Sequence, residues 1–172
     1  MKIVLWIFIV LAGILILCVL IGWLLPKNHV ASRLGYYKVP PEKIWSAITD
    51  VDAMPTWREG LKSVKHLPDL NGMPGHVEVT SMGEIPLQTE EMIQPRKLVA
   101  RIADSKLPFG GAWTFVITPT TDGATLRITE NGFVTNPMFR FLSRFVFGYT
   151  GEIVRYLRSL AKKFGETPRI EE

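Results

Sequence analysis

Residues 136–165 read NPMFRFLSRFVFGYTGEIVRYLRSLAKKFG, and the way this stretch folds decides what the rest of the chain can be. Asn136 suits a helix N-cap, and Pro137 suits the first helical position, where its missing N–H costs nothing. Leu142, Phe145, Val146, Tyr149, Ile153, Tyr156, Leu157, Leu160 and Phe164 then recur every three or four residues. Gly148 and Gly151 weaken the middle by roughly 1 kcal/mol each relative to Ala. Gly165 and Pro168 end the pattern. The spacing predicts one helix of about 28 residues, about 42 Å long, with a single apolar face.

Working back from that helix, the period changes to two. Leu61–Leu67, His76–Met82, Ile85–Ile93, Lys97–Asp104, Ala112–Thr118 and Ala124–Val134 read as strands. Turn chemistry separates them: Pro68–Gly75 is rich in Asp, Asn, Gly and Pro, and Asp122-Gly123 is a hairpin signal. Earlier still, Ser32–Val39 reads as a first strand. Pro40-Pro41 breaks it and opens a short helix whose apolar face is Ile44, Trp45, Ala47 and Ile48, followed by a second helical stretch over Asp52–Trp57. The order is strand, two short helices, six strands, long helix. This is an α+β fold in which a curved antiparallel sheet of about seven strands buries one face on the terminal helix, an arrangement that leaves a cavity between them.

The chain of 172 residues begins differently. Ile3 to Leu25, about 23 residues, holds no charged or strongly polar side chain. As a helix it is about 35 Å long, against about 30 Å of bilayer hydrocarbon. It is too long for a signal-peptide core, and no A-x-A cleavage pattern follows. Trp6 and Trp23 stand near its ends, as interfacial aromatics do. The reading is residues 1–27 as a single-pass membrane anchor, 28–165 as the folded domain and 166–172 as a polar C-terminal tail. Lys2 alone precedes the run and Lys27, Arg33, Lys38 and Lys43 follow it, so the positive-inside rule leans toward a cytoplasmic domain. The lone Cys18 lies in the run and excludes an intramolecular disulfide or a cysteine-based zinc site.

Several stretches together resemble the START-like superfamily, also called SRPBCC or helix-grip, in its polyketide cyclase/dehydrase and lipid-transport-like branch. They are Val39-Pro40-Pro41-Glu42-Lys43-Ile44-Trp45, Asp50 with Trp57, Gln94-Pro95-Arg96-Lys97-Leu98, Gly123 to Glu130, Asn136-Pro137 to Tyr149, and Leu157 to Gly165. The resemblance covers about Ser32–Gly165. It implies a helix-grip fold with a cavity for an apolar ligand and no shared set of catalytic residues.

The inventory of reactive groups is thin. His29, His66 and His76 lack metal-binding spacing; His66 and His76 flank the Pro68–Gly75 turn, where they either approach across a hairpin or stand as exposed loop histidines, the preferred reading. No cofactor motif and no nucleophile elbow occur. Glu90 and Glu91 are adjacent in a strand and point to opposite faces. Glu130 is the acid of interest, because it shares strand parity with Leu126 and Ile128, and a carboxylate on the inward face is costly unless paired or wetted. It is a strand-end acid reaching solvent, a cavity group that orients a ligand, or a general acid or base. Trp113 and Phe115 on a strand, and Phe145, Tyr149 and Tyr156 on the helix, are either core or cavity lining.

Charge is uneven. Pro137 to Phe164 carries Arg140, Arg144, Arg155, Arg158, Lys162 and Lys163 against Glu152 alone. This is a solvated helix back or a face apposed to anionic headgroups. No aromatic-basic motif accompanies it, so nucleic acid is not the expected partner. Anchor, fold and aromatic inner face point to a binding protein that holds an apolar molecule such as a lipid, a quinone or a polyketide-like compound, with no cofactor. Two other classes fit the same residues: a cyclase- or dehydratase-like enzyme using Glu130, and a ligand-free accessory protein of a membrane complex.

Overall fold

The computed structural model describes residues 2–172. Helix α1, Lys2–Leu24, is long and apolar enough to cross a membrane. Strand β1 (Asn28–Tyr37) follows, then α2 (Pro41–Thr49) and the one-turn α3 (Met54–Trp57). Six strands come next: β2 (Leu61–Leu70), β3 (Met73–Thr80), β4 (Gly83–Ile93), β5 (Lys97–Ile102), β6 (Phe109–Thr120) and β7 (Gly123–Val134). All pair antiparallel, and β1 pairs with β7, so the first strand lies beside the last of the run.

The inner face is set by strand parity. Ile117 lies opposite Leu126 and Phe115 opposite Ile128 across β6 and β7. These residues pack on Ile44, Trp45 and Ile48 of α2 and on the terminal helix α5 (Gly151–Lys163), which contributes Ile153, Tyr156, Leu157 and Leu160. The α+β helix-grip architecture expected from the sequence is present, and its sheet has eight strands rather than about seven. The eighth is β8, Arg169–Glu171, which pairs with Leu34–Tyr36 of β1. The C-terminal tail is therefore partly strand. Tyr36 donates to Glu171, Arg169 lies over the Tyr36 ring, and Glu166 accepts from the Lys38 backbone N–H.

The terminal helix is not continuous. It forms α4 (Pro137–Leu142), capped by the Asn136 side chain accepting from the Phe139 N–H, then a π-helical turn over Ser143–Phe147, and it breaks at Gly148 before α5. Gly148 has φ of 72°, a left-handed conformation that costs glycine little and other residues more. The physical reason is a competing surface. α4 packs on α1, and a Cβ at Gly22 would overlap the Pro137 carbonyl oxygen. Arg140 is buried and donates from Nη1 to the Leu25 carbonyl at 2.7 Å. The first half of the predicted helix thus follows the apolar N-terminal helix, and the second half follows the sheet.

Candidate functional site

At the end of the sheet nearest α1, four elements converge. β1 begins four residues before the strand expected from the sequence, which places His29 in the ladder opposite Gly132 of β7. Glu130 lies two residues along β7 from Gly132 and so shares its face. His29 Nε2 and Glu130 Oε1 are 3.4 Å apart. Gly132 makes this possible, because a Cβ there would come within 2.6 Å of His29 Nε2 and 2.9 Å of Glu130 Oε1. Tyr149, just past the break at Gly148, stacks on the imidazole with centroids 4.0 Å apart and planes at 16°.

Outside this stack lies a cleft of about 280 Å³ lined by Leu25, Pro26, Asn28, His29, Arg144 and Tyr149. It opens where α1 enters the domain. His29 Nδ1 is buried and has no hydrogen-bond partner among the described residues.

The electrostatics follow from burial. Burial pushes the Glu130 carboxyl up to about 7, with the Trp113 indole across the ladder pulling the other way. Burial lowers the His29 pKa. Near neutral pH the carboxyl is therefore divided between its two protonation states, beside an imidazole that favours its neutral form. Such a pair can move a proton between Glu130 and Nε2.

The residues singled out in the sequence separate into three groups. Glu130 and Tyr149 meet on either side of His29. Trp113, Phe115 and Tyr156 lie deeper: the Phe115 ring is 6.2 Å from Trp113 and 5.6 Å from Tyr156, within the packed interface of sheet and α5. Phe145 sits apart from both, 59% exposed on the π-helical turn, because the helix bends away from the sheet before Gly148. Arg144, read only as part of a basic helix face, lines the cleft.

A second polar group was not legible in the sequence. Arg58, just after α3, forms an ion pair with the buried Glu78 of β3, and His76 lies 3.7 Å from the same carboxylate. The Arg58 guanidinium also sits over the Tyr156 ring, 4.9 Å from its centroid. Burial alone would raise Glu78, but His76 and Arg58 outweigh it and hold the carboxyl below its usual range. His66 and His76 are not loop histidines. They are direct partners across the β2–β3 ladder and share one face of it, His66 exposed on Asp52 at 2.8 Å and His76 shielded beside Glu78. Among the described residues no group of three or more His, Cys, Asp or Glu could hold a metal ion.

The fold is shared with several solved structures. A protein from Thermobifida fusca aligns with a TM-score of 0.60 at 18% identity, over 81% of this chain and 94% of that one. Norcoclaurine synthase from Thalictrum flavum gives 0.62 at 12%, over 81% and 87%. The di-domain ARO/CYC StfQ of the steffimycin biosynthetic pathway also gives 0.62 at 12%, over 81% of this chain and 53% of that one. At such identities the likeness carries the fold alone. Among curated proteins none matches the chain. Residues 37–165 match the family described as polyketide cyclase / dehydrase and lipid transport, and they span strands β2 to β7, the cleft residues Arg144 and Tyr149, and the gripped helix α5. By that match, over well more than half of its length, the chain belongs to the polyketide cyclase/dehydrase and lipid-transport family.

Proposed function

We propose that this is a membrane-anchored binding protein for an apolar or amphipathic molecule, a lipid, quinone or polyketide-like compound, whose polar end occupies the cleft beside His29, Arg144 and Tyr149. The observation that carries this reading is the position of the cleft: it opens beside Leu25 and Pro26, where a helix of membrane-spanning length joins the domain. Its lining combines apolar walls with one cation, one imidazole, one phenol and one amide, a mixture suited to an amphiphile's head. At about 280 Å³ it is just below the usual range for small-ligand pockets, roughly 300–1,000 Å³. It therefore suits a headgroup or ring rather than a whole lipid. The cations that follow α1, Lys27, Arg33, Lys38 and Lys43, support the cytoplasmic side for the domain over the opposite one.

The test is to purify the full chain in nanodiscs, extract it with organic solvent, and identify bound molecules by mass spectrometry beside a Tyr149→Ala variant. A molecule enriched in the wild type and depleted in the variant is expected. A chain that carries no such molecule and titrates with none overturns the reading.

A second reading rests on the Glu130–His29 pair, which matches an acid–base function in a cyclase- or dehydratase-like reaction. On that reading Glu130→Gln abolishes turnover while the ligand still binds. On the binding reading the same change alters only affinity for molecules with a polar head.

A further inference from the structure

Helix α1 is exposed along nearly its whole length except on one stripe. Cys18, Ile21 and Gly22 are shaded, and Leu25 continues the stripe just beyond the helix. The spacing of three, one and three residues marks a single helical face. That face is taken by α4, with the Pro137 carbonyl against Gly22. At about 1.5 Å per residue, Cys18 lies about 9 Å below Leu24 along the axis. Whatever shades Cys18 reaches that far down the helix.

The other side of the covering segment is apolar and bare. Phe139 is 47% exposed, Phe145 59%, Val146 60% and Phe147 69%. Of its two cations, Arg140 is buried against the carbonyls of Leu25 and Thr135, and Arg144 is exposed where it lines the cleft. An exposed aromatic patch of this kind marks an interaction surface. Its continuity with α1 points to the partner, because α4 packs on the end of α1, with Pro137 against Gly22, and the end of a spanning helix lies at the acyl–headgroup boundary.

We propose that residues 137–147 form a wedge inserted into the lipid bilayer beside α1, holding the domain against the membrane with its cleft facing the headgroup layer. This rests on the reading of α1 as an anchor. A tether alone would let the domain move freely above the surface, whereas the wedge adds a second point of attachment and fixes how the domain lies.

The experiment uses the full chain, with Cys18→Ala, in phosphatidylcholine/phosphatidylglycerol nanodiscs. A nitroxide is placed at one of four introduced cysteines: Phe147→Cys and Val146→Cys in the wedge, Val10→Cys in the middle of α1, and Lys62→Cys on β2. Power saturation then compares oxygen, which concentrates in the bilayer, with a water-soluble nickel chelate. Wedge labels are expected to favour oxygen over nickel several-fold more than the label at position 62, and less than the label at position 10. If the wedge labels match position 62 while position 10 is deep, the wedge is overturned and the anchor stands. If position 10 is also open to nickel, the anchor reading fails and the wedge with it. Wedge labels shielded from both reagents mean that protein covers the patch, which overturns the bilayer as its partner.

Discussion

The imidazole of His29 lies flat on the phenol ring of Tyr149, 4.0 Å between centroids and 16° between planes, although 120 positions separate them in the chain. The stack joins the first strand to the segment that leads into α5, and it forms the inner wall of the cleft. Burial holds the His29 pKa below its ordinary 6.5. Removing the ring in Tyr149→Ala opens the imidazole to water, so its pKa moves up toward 6.5. An NMR titration of the His29 ring protons in both proteins measures this. Identical titration curves refute the idea that the ring contributes to the burial.

Glu130 makes stability depend on pH. Its folded pKa of about 7 exceeds the ordinary 4.5, so the folded state holds its proton more tightly than the unfolded state. Stability is then lost as pH rises from about 4.5 through about 7, by about 3 kcal/mol at most. His29 runs the other way, because its lowered pKa contributes stability that is lost as pH falls below 6.5. Glu130→Gln removes the first effect and leaves the second. The variant is expected to exceed the wild type in Tm at pH 8, with the gap closing by pH 5. A gap that does not change with pH contradicts the assignment of the burial cost to Glu130.

The Arg58–Glu78 pair has one wall of aromatic rings and little access to water. Glu78→Leu leaves the guanidinium buried without its carboxylate, at a cost of about 3–5 kcal/mol. Adding Arg58→Met recovers much of that loss, because the stranded charge is gone. Urea denaturation of the two single variants and the double variant measures the coupling. A double variant as unstable as the sum of the singles means that the residues act independently.

Trp45 tests the core where α2 packs on β6 and β7. It is buried with Ile44 and Ile48 on the inner face of α2. Trp45→Ala is expected to cost about 3–5 kcal/mol in chemical denaturation, as large-to-small core changes do. A loss below about 1 kcal/mol contradicts the packing.

Local chemistry explains which parts of this fold are legible in the sequence. Strand alternation and the Asp122-Gly123 turn locate β6 and β7 to within a few residues, and parity alone puts Glu130 inward. Gly148 reads only as a helix weakness, because the surface that competes for Pro137–Leu142 belongs to α1, more than a hundred residues away. His29 is missed because it precedes the strand read from Ser32 and has no metal-binding spacing; the available signal is Gly132, a glycine in a strand facing an imidazole. Arg58 and Glu78 carry no motif at their separation of 20 residues, and they meet only once α3 turns the chain into β2.

β8 is only three residues long, yet it decides what the sheet's flank offers to other chains. Without it, the backbone of Leu34–Tyr36 would present a row of unpaired donors and acceptors, ready to accept a strand from a neighbour. At the opposite border, β2 carries exposed Lys62, Lys65 and His66 together with Pro68, whose ring has no N–H to offer. On the proposed anchoring, copies held on one membrane meet far more often than they would free in solution. With Leu34–Tyr36 of one flank covered by its own C-terminus and the other flank guarded by charge and proline, the sheets of such copies are hindered from joining into a continuous ribbon.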